Sequence, residues 1–261
     1  MSFLKVVDEG EIVHVILSRP EVRNAFNPEM IQEVTQTFRK LKGNKKARAV
    51  ILKGEGKVFC AGADLSWMQS MANYSFEQNQ EDAFRLYEMF ESIEGLDIPV
   101  LGCVHGAVFA GGLGLVSACD MVIAERATQF CFSETKLGLI PATISAFIKN
   151  KVFLGWIKPY MLSAQIFSAE KAFDMGLVHE LVESQDEAER VLSGWIKNFY
   201  ECGPEALRAT KSLLREIPYL SSSQLKERTT KAIAERRVST EGQEGLKSFL
   251  QKRTPEWRIK E

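Results

Sequence analysis

Short apolar runs rich in β-branched residues alternate with amphipathic stretches over the first two-thirds of the chain, and that alternation most limits its fold. "EIVHVILSRP" alternates apolar and polar residues and is closed by Pro20, while "ARAVILKGEG", "IPVLGCVHG" and "DMVIAE" are further strand candidates. Between them lies "NPEMIQEVTQTFRKLKG", with Asn27 as N-cap, Pro28 at the first helical position, Glu29 at the positive end and Gly43 as stop. A second, more polar helix is predicted over "SFEQNQEDAFRLYEMFESIEG". Strands alternating with helices predict an α/β architecture. Beyond about residue 183 the strand signals stop. "ESQDEAERVLSGWIKNFY", "GPEALRATKSLLREI" and "SSSQLKERTTKAIAERR" all read as amphipathic helices. The expectation is an α/β core over 1–183 and a helical segment over 184–261.

Several kinds of chemistry are excluded by what the chain lacks. "GEGKV" has neither the upstream spacing nor the Ser/Thr of a nucleotide P-loop, and "GGLGLV" lacks the third glycine of the dinucleotide fingerprint. No G-x-S-x-G or H-E-x-x-H occurs. The three histidines, His14, His105 and His179, stand on different predicted elements, so a histidine-rich metal site is not expected. The five cysteines form no C-x-x-C pair and mostly sit in apolar runs, reading as reduced, buried small hydrophobes. A net charge of -1 gives no global field for nucleic acid, and the basic run "FRKLKGNKKAR" reads as a solvated helix end. No stretch approaches the ~18 apolar residues of a membrane span. With no leader-like start at "MSFLKVVDEG" either, a cytoplasmic protein is expected.

Three stretches carry candidate chemistry. "FCAGADL" (Phe59 to Leu65) follows a strand and places small residues where the chain must turn in little room. "GCVHGAVFAGGLGL" repeats the pattern of strand, glycine turn and helix, with Gly111, Gly112 and Gly114 at the helix start. Glycine costs a helix interior about 1 kcal/mol against alanine, so glycines there imply a close backbone approach. Each turn can present free backbone N–H groups, and two that converge on one point make an oxyanion hole. In "FCFSETKLGLIP", Glu134 is either a helix-start carboxylate favoured by the dipole or a general acid/base with a raised pKa.

Taken in order, "SRPEVRNAFN", "CAGADL", "AGGLGLVSACD", "SETKLGLIP" and "EGLKSFLQKRTPEW" resemble the enoyl-CoA hydratase/isomerase (crotonase) superfamily over nearly the whole chain. The wording of "CAGADLSWM", "GLGLVSACD" and "SETKLGLIPATIS" is most similar to its bacterial methylglutaconyl-CoA hydratase-like branch, assigned to leucine breakdown. The resemblance implies a crotonase-like spiral of repeated ββα units and a helical C-terminal trimerisation segment, in trimers or hexamers. The implied substrate is an acyl-CoA thioester whose carbonyl is polarised by the amides of Ala63 and Gly111. Glu134 is then the proton-transfer carboxylate. Coenzyme A belongs to the substrate, and no separate cofactor, metal, nucleic acid or membrane partner is implied. Arg23 falls near the CoA phosphates, and Ala61, Asp64 and Leu65 near the adenine. Gly112 and Gly114 are substrate-binding candidates in the same turn, while Trp67, Met68 and Ile144 are candidates for the acyl pocket. A Cβ at Gly111 is expected to crowd the thioester carbonyl.

One departure from that pattern bears on the reaction. Two-carboxylate hydratases of this family carry a first glutamate three residues past the oxyanion glycine, where this chain has Gly114. Hydration divides naturally between two carboxylates, whereas one suits the return of a proton to a neighbouring carbon. Many members of the resembling branch also have glycine there. Hydration of a 2-enoyl-CoA is therefore the leading expectation, with double-bond isomerisation and non-catalytic acyl-CoA binding as the alternatives.

Overall fold

A computed structural model of the chain describes residues 2–258. The chain opens with the hairpin β1 (Leu4–Asp8) and β2 (Ile12–Leu17), then α1 (Pro28–Leu41) and β3 (Ala49–Gly54). Two helices follow, α2 (Leu65–Met71) and α3 (Phe76–Glu94), before β4 (Val100–Val104), β5 (Ala107–Phe109) and α4 (Gly111–Ala118). Next come β6 (Met121–Glu125), β7 (Gln129–Cys131), a 3-10 turn (Glu134–Leu137), α5 (Ala142–Ile148) and α6 (Leu154–Ser163). The last part holds β8 (Phe167–Ser168), α7 (Ala169–Asp174), β9 (Glu180–Val182), α8 (Gln185–Glu201), α9 (Pro204–Glu216), α10 (Ser222–Val238) and α11 (Thr240–Leu250).

Six strands form one sheet in the order β1-β2-β3-β4-β6-β9, and β5-β7-β8 form a second. In the first sheet only the β1–β2 pair is antiparallel. The chain visits both sheets in turn. β4 enters the large sheet, β5 the small one, and α4 returns; β6, β7 and the 3-10 turn with α5 repeat that path. An earlier circuit runs from β3 through Cys60, which bridges Val108 of β5 in parallel, to α2. This is the ββα spiral. Its second strands are only three residues long, too short to show as alternation.

Local sequence sets the helix ends as expected. Asn27 accepts a hydrogen bond from the Met30 amide at 2.9 Å ahead of Pro28, and Ser75 and Ser221 each close a capping box with a glutamine three residues on. Alternation along the strands divides the core in two. Val13, Val15, Val50, Leu52, Val100 and Val122 face the layer that holds α1 and α3, while Ile12, Ile51, Leu101 and Ile123 face Ala188 and Leu192 of α8. All five cysteines are free. Burial pushes the thiol pKa of Cys60, Cys103 and Cys119 up to about 12, so these act as packing groups.

Buried cations fasten the helical segment to the core. Arg208 of α9 donates to Asp97 at 2.9 Å and to the carbonyls of Asn44 and Ala47, and Lys211 pairs with Asp120 at 2.6 Å. Arg48 donates to the carbonyls of Cys202 and Trp257 at 3.0 and 2.7 Å. α10 and α11 leave Ile233, Val238, Leu246, Phe249 and Leu250 exposed.

Candidate active site

Three successive circuits of the spiral end at one place. Cys60 bridges Val108, and Phe109 of β5 pairs with Cys131 of β7, all in parallel, so three segments run side by side. Neighbouring strands lie about 4.8 Å apart. Their C-terminal ends deliver Ala63, Gly111 and Glu134, each two or three residues past the last paired position.

The first turn is held by the segment ahead of α1. Phe26 donates its amide to the Gly62 carbonyl at 2.7 Å and accepts from the Asp64 amide at 2.7 Å. In such a parallel bridge the flanking residues make both bonds, so the N–H of Ala63 points away from Phe26. Gly62 sits at φ +97, and a Cβ there would stand 2.9 Å from the Ala110 Cβ, so the two turns touch. Ala61 donates its amide to the carbonyl of Arg23, whose own side chain is exposed.

The second turn is strained. Ala110 has φ 45 and ψ -119 at the N-cap of α4, a region alanine rarely enters. Its amide donates to Cys131 and its carbonyl accepts from Leu113, which fixes the turn from both sides. The positive end of a fully buried helix then begins at Gly111. Among the described residues no backbone carbonyl accepts the amide of Ala63 or of Gly111. Gly112 is required by packing, since a Cβ would meet the Cys60 carbonyl oxygen at 2.8 Å.

Packing alone already requires glycine at 111: a Cβ on it would stand 2.6 Å from Cε2 of Phe26. Phe26 thereby touches both donors, pairing through its backbone with the Ala63 loop and through its ring with Gly111.

Glu134 opens the 3-10 turn that follows β7, which closes at Gly138 in a left-handed conformation. Its backbone carbonyl accepts from Leu139 at 3.1 Å. Its Oε2 is buried and has no hydrogen-bond partner among the described residues. Burial raises the pKa of this carboxyl above the usual carboxylate range. A buried carboxylate oxygen without a partner is unfavourable for folding.

The other sequence candidates stand on the elements that flank these turns. Asp64 caps α2, accepting from the Ser66 amide at 2.9 Å and hydroxyl at 2.6 Å, and pairs with Arg19 at 2.8 Å. The Ser66 hydroxyl and amide and then Arg19 hold its pKa below the carboxylate range. Leu65 is exposed, Met68 half-buried, and Trp67 buried with its indole N–H donating to Asp82 at 2.9 Å. Ile144 of α5 and Gly114 of α4 are both buried, Gly114 against the ring of Phe90 on α3. Arg19, Phe26 and Phe90 went unread in the sequence, although Arg19 and Phe26 both belong to the quoted "SRPEVRNAFN". Among the described residues no group of three or more His, Cys, Asp or Glu side chains could hold a metal ion.

The family model for enoyl-CoA hydratase/isomerase matches residues 8–260. The chain belongs to the enoyl-CoA hydratase/isomerase family. It is 30% identical over 252 residues to a putative enoyl-CoA hydratase of Thermus thermophilus, covering 95% of this chain and 98% of that one. The crystal structure of an enoyl-CoA hydratase from Shewanella pealeana superposes with a TM-score of 0.93 at 35% identity, over 98% of this chain and 96% of that chain. Pseudomonas aeruginosa AtuE superposes with a TM-score of 0.95 at 29% identity, over 99% and 100% of the two chains. As a member of the enoyl-CoA hydratase/isomerase family the chain is an enzyme, and its crotonase spiral is the family's fold.

Proposed function

We propose that this enzyme adds water across the double bond of a 2-enoyl-CoA, with Glu134 as its one proton-transfer group. The thioester carbonyl lies between the amides of Ala63 and Gly111. Glu134 takes a proton from water as the water oxygen bonds to the β-carbon, and the π electrons move onto the thioester oxygen. The two amides stabilise that enolate; losing one such donor costs about 2.7–4 kcal/mol of transition-state stabilisation. The same carboxyl then returns the proton to the α-carbon, which restores the carbonyl and leaves a 3-hydroxyacyl-CoA. The observation that carries this reading is the buried, unpartnered Oε2 of Glu134 at the end of the third circuit, beside two turns with uncommitted amides.

The substrate in this reading is 3-methylglutaconyl-CoA, supported by the likeness of "CAGADLSWM" and "SETKLGLIPATIS" to that branch. That places the enzyme in leucine breakdown, in the cytoplasm, with coenzyme A entering only as part of the substrate. No described helix is long and apolar enough to cross a membrane. The apolar side chains left open on α10 and α11 support assembly into a trimer or hexamer. Arg23 beside the CoA phosphates, and Ala61, Asp64 and Leu65 beside the adenine, complete the proposed binding surface.

A second reading, double-bond isomerisation, is favoured by one observation. Position 114 carries no carboxylate, and the ring of Phe90 takes the space a side chain there would need. Incubation with 2-enoyl-CoAs, 3-enoyl-CoAs and 3-methylglutaconyl-CoA in heavy-oxygen water separates the readings by product mass. A heavy-oxygen 3-hydroxyacyl product supports hydration; a shifted double bond without added oxygen makes the enzyme an isomerase. No turnover of any thioester that binds would leave an acyl-CoA binder.

A further inference from the structure

The ion pair between Arg19 and Asp64 joins the segment ahead of α1 to the residue that follows Ala63. Arg19 Nη2 donates to Asp64 Oδ2 at 2.8 Å and Nη1 to the Ala25 carbonyl at 2.6 Å. Both side chains are largely shielded, with 13% and 9% of their surface exposed. The neighbouring rung is the backbone bridge of Phe26 to Gly62 and Asp64, so the guanidinium extends that short ladder by one step. The base of Arg19 is fixed as well. Its amide donates at 2.9 Å to Oδ1 of Asn24, which is wholly buried and donates in turn to the carbonyls of Glu55 and Val58. The guanidinium also lies 5.4 Å from the Phe3 ring centroid.

Asp64 ties this clamp to the site. Its Oδ1 accepts from the amide and hydroxyl of Ser66, the N-cap bonds of α2, while Oδ2 accepts from Arg19. The carboxylate thus sets where α2 starts, and Ala63 is the residue immediately before it. A donor in an oxyanion hole contributes only while aimed at the developing charge. A planar guanidinium can bridge a carbonyl and a carboxylate at a set separation, which a lysine ammonium cannot reproduce.

We infer that Arg19 is a positioning residue for the oxyanion hole, holding the Ala63 amide in its catalytic direction through Asp64. The inference rests on the reading of Ala63 and Gly111 as oxyanion donors. It assigns Asp64 a structural part in that hole beyond any contact its loop makes with CoA.

The test uses the full-length enzyme with Arg19→Lys and, separately, Asp64→Asn, which keeps the side-chain volume should the lysine variant fail to fold. Three quantities are read: kcat and KM for the enoyl-CoA that the wild type turns over, the rate at which α-hydrogens of butyryl-CoA exchange into heavy water, and the melting temperature. The exchange needs the enolate but no attacking water. Each variant is expected to lower kcat and the exchange rate together by about 10- to 100-fold, and Arg19→Lys, which lies outside the proposed CoA surface, to leave KM within about threefold of wild type. The double variant should be no slower than the worse single one, because both break one link. A folded Arg19→Lys or Asp64→Asn enzyme with wild-type kcat and exchange, its melting temperature alone lowered, overturns the inference. Glu134→Gln serves as the control: if it keeps wild-type turnover and exchange, the site reading beneath the inference fails as well.

Discussion

A Cβ built on Gly114 would stand 2.2 Å from Cζ of Phe90, with two more ring atoms at 2.6 Å. Phe90 cannot readily withdraw. It is fully buried on α3 and meets Phe147 of α5 edge-on, with ring centroids 5.6 Å apart. The position where two-carboxylate members of the family keep their first glutamate is therefore filled here by an aromatic ring from another helix. Gly114→Ala should destabilise the fold by about 1–3 kcal/mol, the usual range for overpacking a core. Gly114→Glu should fold poorly alone and recover when Phe90→Ala is added. Urea denaturation of the single and double variants measures this; an unaltered midpoint for Gly114→Glu would show that Phe90 does not set the residue at 114.

The carboxyl of Glu134 titrates above the usual carboxylate range because burial disfavours its charged form. As a base it works ionised, so kcat/KM should rise with pH through that raised pKa and then level off. Replacing it removes the base: Glu134→Gln should lower kcat by about 10²- to 10⁴-fold, the range for general acid–base groups, while acyl-CoA binding persists. The stability effect has the opposite sense. A group whose pKa is raised on folding stabilises the fold below its unfolded value and loses that contribution as pH rises through the folded one. Thermal melts should place Glu134→Gln ahead of wild type at neutral pH, with the gap closing toward acid. A flat pH–rate profile across that region would remove Glu134 as the base.

Gly111→Ala places a methyl 2.6 Å from Cε2 of Phe26 and shifts the residue that carries one donor. We expect a kcat loss of about 10²-fold or more, comparable to losing an oxyanion donor, with modest change in KM. Trimming the ring with Phe26→Leu should restore part of the stability but not the activity, because the ring also packs against Gly111 and sets its position. Recovery of both stability and kcat in the double variant would show that the ring only fills space.

The large sheet, the capped helices and the two glycine turns are legible in sequence because each is written in neighbouring residues. Asn27–Pro28 and Ser75 fix helix starts within four positions, and "AGGLGL" marks its turn by glycine alone. Glu134 is visible as the one carboxylate of its motif. The strands β5 and β7 are not visible, because three residues cannot show a period. Phe26, Phe90 and Arg19 are hidden for another reason: their roles depend on partners distant in sequence. Arg19 meets Asp64 across 45 positions. Nothing in "SRPEVRNAFN" indicates that Arg19 pairs with the Asp64 that follows Ala63, or that Phe26 leaves no room for a side chain at 111. Those pairings arise only when the spiral brings three circuits to one end.

The C-terminal helices give a prediction about assembly. Val238 at the end of α10 and Phe249 and Leu250 at the end of α11 are 78%, 82% and 78% exposed, an unusual cost for a free monomer surface. α9 is already held to the core by Arg208 and Lys211, so the helical segment is anchored while this apolar edge faces outward. One chain weighs 29.4 kDa. Sedimentation equilibrium should return three or six times that mass for the wild type. Phe249→Asp with Leu250→Asp should return the single-chain mass, because two carboxylates cannot be buried unpaired in an apolar contact. Both side chains lie outside the Ala63–Gly111–Glu134 site, so a dissociated variant that retains α-hydrogen exchange would show that each chain builds its own oxyanion hole. A wild type that sediments as a single chain would mean that this edge is not a subunit contact.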